Sequence, residues 1–267
     1  MGIISKIQGV IQTYDWGGER FISKLLNQEK TDSVPWAEYW MGTHAKGVAR
    51  LEDGRLLTNF LETSETYGLE LPYLFKVLDV NNMLSIQSHP NAEQARMGFE
   101  LEEQTGLSVL DPQRTYRDPN PKPEVMVALS DFWLLHGFRS LEAILTDFEN
   151  HFGLTLPPAN SGSIKAVFEF IFAMPQDEIN RLIQNSTADW LPLLEDNQPD
   201  KANHTFWMAK ACRDFCQWTP DYDRGILVIL MLNIVHLQAG EGIFQDAGIL
   251  HAYLEGKNKH ANNQQTY

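Results

Sequence analysis

The chain has 267 residues, 43% hydrophobic and 21% charged, which excludes intrinsic disorder as its main state and is ample for a hydrophobic core. Its 21 basic and 35 acidic residues leave a net charge of −14, and without a Lys/Arg cluster this argues against a nucleic-acid partner. An anionic small molecule stays compatible, because a few local donors can hold a phosphate in an acidic protein. The opening MGIISKIQGV lacks the charged and long apolar regions of a secretion signal, and Lys6 stands where myristoylation wants Ser or Thr. The longest apolar run, Ile226 to Val235, is about half a membrane span and contains Asn233. No membrane partner is expected, cytoplasm is the expected compartment, and nothing in the sequence reports the oligomeric state.

Residues 1–139 are rich in Gly, Pro and short apolar runs. Leu71–Leu78 and Met83–Gln87 read as strands, and between them and the next strand Asn91 and Gln94 form a capping box for a helix ended by Gly106. Val125, Val127 and Leu129 alternate with Met126 and Ala128, which predicts a strand packed on both faces. Residues 140–219 change period. Ser140 caps Leu141, Ile144, Leu145, Phe148 and Phe152 at helical spacing, and Gly153 closes them. Ile164–Ile171, a stretch from Asp177, and one carrying Phe206, Ala209, Arg213 and Cys216 repeat that pattern. Cys212 and Cys216 share a helix face and read as two buried thiols. Residues 220–256 return to strand character through ILVILMLNIVHL and IFQDAGILHAYL, and 257–267 form a polar tail with no packing signal. Strands, then helices, then strands predict a mainly β fold with a helical insertion.

Three stretches carry candidate chemistry. On an extended Ser85–His89 segment, Ser85, Gln87 and His89 point one way, and Pro90 then turns the chain. His89 alone reads more often as an ordinary core or surface histidine than as a ligand. In Arg117–Glu124 three prolines fix an irregular backbone and deliver Lys122 and Glu124 on one face; this is either a rigid loop with a solvated ion pair or a carboxylate ligand beside a proton-handling cation. His251 ends an apolar run in step with Tyr253. Together Gln87, His89, Glu124 and His251 make a nitrogen and oxygen donor set suited to Zn²⁺ as a Lewis acid. Iron in a two-His-one-carboxylate site would not need Gln87.

The runs YLFKVLDVNNMLSIQSHPN, YRDPNPKPEVMVALSDFWLLHGFR and GEGIFQDAGILHAYLEGK resemble, in order, the zinc-dependent type I mannose-6-phosphate isomerases. Gln12–Gly18 and Ala37–His44 do so too, and the resemblance extends to about Gly256. It implies a cupin (double-stranded β-helix) core, with residues 1–139 and 220–256 around an inserted helical domain at 140–219. It places one Zn²⁺ per chain on Gln87, His89, Glu124 and His251. Lys122 falls on a lysine associated with proton handling or ring opening, and Ser85 on a serine beside the sugar phosphate. Tyr253, Trp16 and His44 match positions around the pocket. The implied reaction interconverts mannose 6-phosphate and fructose 6-phosphate through an enediol.

The departures are also specific. Nine residues after His251 the family has a glutamate, and this chain has His260. A later arginine-bearing GLTPK segment and the family's C-terminal β domain find no match, so 257–267 reads as a non-homologous ending. The expectation is a truncated member with all metal ligands present and catalysis impaired. The alternative is a non-catalytic metal- or sugar-phosphate-binding cupin remnant.

Overall fold

The computed structural model describes residues 4–62, 71–109, 111–157 and 159–263. In the N-terminal part β1 (Ile7–Gln8), β2 (Val10–Gln12), α1 (Phe21–Leu25), β3 (Glu38–Met41), β4 (Arg50–Leu51) and α2 (Leu57–Glu62) precede the long β5 (Tyr73–Val80). Then come α3 (Ala92–Thr105), β6 (Glu124–Ala128) and β7 (Phe132–Phe138). Helices α4 (Leu141–Phe152), α5 (Ile164–Ala173), α6 (Gln176–Trp190), α7 (His204–Phe215) and α8 (Gly225–Ile229) follow, and β8 (Leu232–Leu237), β9 (Gly242–Gln245) and β10 (His251–Asn263) come last.

Local chemistry sets the helix ends. Asn91 accepts from the Gln94 amide at 2.8 Å while Gln94 accepts from the Asn91 amide at 3.0 Å, and Gly106 closes α3 at φ 75°. Ser140 caps α4 through the Ala143 amide, and Gly153 ends it at φ 59°. The apolar stripes of the helical unit meet in one core in which Ile144, Phe148, Val167, Ile171, Ile179, Ile183 and Trp207 are fully buried. Leu135, Ala252 and Leu254 join this core, so the helices cover the outer faces of β7 and β10. The helical insertion is as the sequence indicates.

The described strands pair antiparallel, in the order β2-β3-β5-β10-β6-β9, with β10 also pairing β7 and β7 pairing β8. Strand β10 therefore belongs to both halves of a mixed, cupin-like fold. It passes from one half to the other through a bulge between Tyr253 and Glu255 and through Gly256. Gly256 has φ 135°, and a Cβ there would sit 2.5 Å from the Phe132 ring and 2.7 Å from the Asp131 carbonyl oxygen, so only glycine fits.

Four expectations need correction. Residues up to Asn263 are not a packing-free tail, because Lys257–Asn263 lies between β5 and β6 with Asn258, His260 and Asn262 buried; Gln264 onward lies outside the described residues. The run ILVILMLNIVHL is not all strand. Its first four residues, Ile226–Ile229, are helical within α8 and buried, and an apolar run buried on every side has no period to tell helix from strand. Met83–Gln87 makes no strand. Leu84 bonds to Tyr253 while Gln87 pairs His251, three steps against two, so one residue is extra and the ladder cannot continue. Finally, β6 packs on one face: Glu124, Met126 and Ala128 are buried, whereas Val125 is 47% exposed.

Candidate metal centre

Glu124 opens β6, delivered by a proline-fixed segment in which Asp118 accepts from the Asn120 amide at 2.9 Å. The stretch before α3 lies against the start of β10, where Gln87 and His251 exchange backbone hydrogen bonds of 2.9 Å in both directions. These two placements converge. His89 Nε2 lies 3.2 Å from Glu124 Oε1, His251 Nε2 lies 3.5 Å from Oε2, and donor atoms of the three residues all fall within 4.8 Å of one another. Glu124 and His251 are almost fully buried.

The His251 Nδ1–H donates to the Ile249 carbonyl at 2.9 Å, which leaves the Nε2 lone pair aimed at the carboxylate. Among the described residues neither His89 Nε2 nor His251 Nε2 has a hydrogen-bond partner, although both are buried. Imidazole lone pairs facing a carboxylate repel unless a cation lies between them, so the donor set fits a divalent metal. Protonation states agree with this. Burial pushes the Glu124 carboxyl upward, but His260, His251 and His89 more than reverse it and hold the group well below its ordinary range. Burial holds His89 below its ordinary value, against the pull of Glu124, so it presents a neutral ring.

The other expected residues are spread around this triad. Lys122 Nζ lies 3.7 Å from Glu124 Oε1, and burial lowers its pKa. Tyr253 is buried in the barrel, its hydroxyl accepting from Gln245 Nε2 at 2.8 Å, and burial followed by Glu124 raises its pKa well above 10.0. His44 is buried edge-on to Trp40, ring centroids 4.8 Å apart. Burial, then Lys76, Lys46 and Lys122, bring its pKa down to about 4. Trp16 is half-buried, stacks on Tyr14 at 5.7 Å, and packs against the core of Leu78, Met126 and Tyr253. Ser85 and Gln87 are exposed and line a cavity of about 850 Å³ on the side of the helical unit. Gln87 is tied to the triad by its backbone. His89 and Lys122 instead line a second cavity of about 360 Å³ with Arg117 and Asp118.

Residue-by-residue reading overlooks several neighbours. Lys76 projects into the barrel, 3.2 Å from Glu38 Oε2 and 4.8 Å above the Trp40 ring. The signal was a lysine in step with Leu74 and Leu78 on an otherwise apolar strand face. Gln245 and Asn262 each approach Glu124 at 3.4 Å, one to each carboxylate oxygen. His260, read only as a departure from the family pattern, lies 3.2 Å from Glu124 Oε2.

Fold and site together define an antiparallel cupin-like barrel, carrying an inserted helical unit, whose buried two-His-one-carboxylate triad can hold a metal ion. Residues 4–141 match the family model described as "Phosphomannose isomerase type I, catalytic domain". The chain belongs to the type I phosphomannose isomerase family. It is 30% identical over 277 aligned positions to mannose-6-phosphate isomerase of Shigella flexneri, a match spanning 95% of this chain and 66% of that protein. It is also 30% identical to the Bos taurus mannose-6-phosphate isomerase, across 92% of this chain and 64% of that one. The chain thus spans about two thirds of the length of these relatives. A crystal structure of mannose 6-phosphate isomerase bound with zinc and yttrium superposes with TM-score 0.80 at 28% identity, covering 97% of this chain and 67% of the other. A crystal structure of a mutant phosphomannose isomerase from Salmonella typhimurium superposes with TM-score 0.81, also at 28% identity, covering 97% and 68%.

Proposed function

We propose that this chain is an aldose–ketose isomerase acting on mannose 6-phosphate and fructose 6-phosphate. The observation that carries the reading is the convergence of His89, Glu124 and His251, ring nitrogens unpartnered, beside Lys122. In this reading one zinc ion per chain is held by His89, Glu124 and His251, with Gln87 as the fourth ligand once its side chain turns inward. Bound zinc supplies Lewis-acid stabilisation of the oxyanion charge that develops on the sugar.

The remaining chemistry belongs to the chain. The open-chain sugar loses a proton at C2 and regains one at C1 through an enediol, while the hydroxyl proton moves between the two oxygens, so nothing is added or lost. Lys122 is the proton-handling group at Nζ, because burial favours its neutral form more than in water. Lys76, Lys122 and Lys46 draw an anionic substrate toward the His44 side of the barrel. Ser85 contacts the phosphate, while Tyr253, Trp16 and His44 shape or support the pocket. Among the described residues no helix is long and apolar enough to cross a membrane, and we place the protein in the cytoplasm.

A coupled isomerase assay with metal analysis tests this reading. One zinc per chain and turnover lost on chelation and regained on reloading are expected. His89→Ala, Glu124→Gln and His251→Ala should each lose the metal, and unchanged metal content in all three would overturn the site. Metal binding without turnover would identify a non-catalytic binding protein instead.

A further inference from the structure

His260 is 4% exposed, yet among the described residues neither ring nitrogen has a hydrogen-bond partner. It lies nine residues after His251 on one strand. Nine steps of extended chain span about 30 Å, and an odd separation places the two side chains on opposite faces. Nevertheless both Nε2 atoms come within 3.5 Å of the same atom, Glu124 Oε2. Two devices in β10 make this possible. The bulge between Tyr253 and Glu255 shifts the alternation, so the inward set changes from His251 and Tyr253 to Asn258, His260 and Asn262. Gly256, at φ 135°, turns the strand so that it wraps around the carboxylate.

Register explains why a long side chain is needed. Asn262 stands directly opposite Glu124, and His260 stands opposite Met126 on β6 and Lys76 on β5. His260 is therefore a diagonal neighbour of Glu124, at a backbone separation of about 7–8 Å that a small side chain cannot span. Its 3.2 Å approach to Oε2 is shorter than the 3.4 Å from Gln245 and the 3.5 Å from His251. Moreover, His260 is not among the donors that lie mutually within 4.8 Å. It therefore flanks the carboxylate and stands outside the triad.

We propose that His260 is a positioning residue for the metal centre: its Nε2, 3.2 Å from Glu124 Oε2 but not hydrogen-bonded in this arrangement, donates to that oxygen when a metal is bound and keeps the carboxylate turned toward His89 and His251. The inference rests on the metal-centre reading above. Once the rings of His89 and His251 are engaged by a metal, His260 Nε2 and the more distant Gln245 amide are the groups left beside Oε2. Ligating carboxylates and imidazoles depend on such outer partners for orientation, and their loss typically weakens metal binding 10–100-fold.

The test is titration of the metal-stripped full chain with Zn²⁺, and with Co²⁺ followed by its visible absorption. For His260→Ala, binding about 10–100-fold weaker than wild type is expected, with an unchanged Co²⁺ spectrum at saturation because the ligands are unchanged. His260→Gln carries an amide N–H where the imidazole has Nε2–H and should bind within about threefold of wild type. Should His260→Ala fail to fold, His260→Met fills the same space without a donor and is read in its place. Unchanged affinity in the donor-free variant, equal loss in the Gln variant, or an altered saturated spectrum would each refute positioning, the last by making His260 a ligand. Failure of the wild-type chain to bind either metal would instead overturn the metal-centre reading itself, so the two failures are distinguishable.

Discussion

The helical unit and the barrel interior are buried to similar degrees, but the barrel sets polar groups beside apolar ones such as Met126 and Phe132. Between the helices every fully buried side chain of any size is apolar, from Ile144 and Phe148 to Trp207, and packing alone accounts for it. Inside the barrel, Glu124, His251, His260, Asn258 and Asn262 are just as inaccessible, and several of their polar atoms lack partners among the described residues. Buried polar groups without partners cost stability, and such an arrangement suits a site that takes up a metal ion. The helical unit supports that interior by covering the outer faces of β7 and β10.

The contrast can be tested by substitutions in both regions. The largest expected effect is on turnover: with Lys122 as the proposed proton-handling group outside the metal's donor set, Lys122→Met should lower kcat about 10²–10⁴-fold while zinc content stays that of wild type. Loss of zinc with the activity would instead make it part of the metal scaffold. Phe148→Ala, in the apolar unit, should cost about 3–5 kcal/mol in denaturant unfolding and leave metal affinity unaltered. A matched loss of affinity would erase the distinction between the regions.

Gly256→Ala forces a side chain into the φ 135° turn against Phe132 and should cost about 1–3 kcal/mol. Because that turn separates His251 from His260, metal affinity should fall as well, which a calorimetric titration reads. The smallest effect concerns acid. His44 in the folded chain has its pKa lowered from 6.5 to about 4, so it binds fewer protons folded than unfolded between those values. Its contribution is intact above pH 6.5 and is lost as pH falls toward 4. His44→Gln should therefore lose about 2 kcal/mol less stability than wild type between pH 7 and pH 5. Identical acid profiles for the two proteins would mean that His44 is not held neutral by the fold.

Legibility followed local signal. Helices α3 and α4 were readable to the residue because Asn91, Gln94, Ser140, Gly106 and Gly153 act within a few positions of themselves. The triad was readable because His89, Glu124 and His251 sit in motifs with family order. Strand β10 beyond Gly256 was not. KNKHANN is polar apart from Ala261, and its alternation of buried Asn258, His260 and Asn262 with outward Lys259 is a strand signal written in residues that ordinarily mean surface. Likewise, α8 and the first half of ILVILMLNIVHL carry no period, since every side is buried.

The sequence by itself determined the composition class, the helical insertion between β segments, and the donor types of the centre, because propensity, capping and donor chemistry are properties of residues near in the chain. Only the tertiary structure decided which donors meet. It left the Gln87 side chain exposed, brought Lys76, Gln245 and Asn262 to the barrel interior, and used a bulge and Gly256 to aim His260 at the carboxylate that His251 also faces. Convergence of side chains from distant strands depends on register and on where a strand bends, and neither is encoded at the positions that converge.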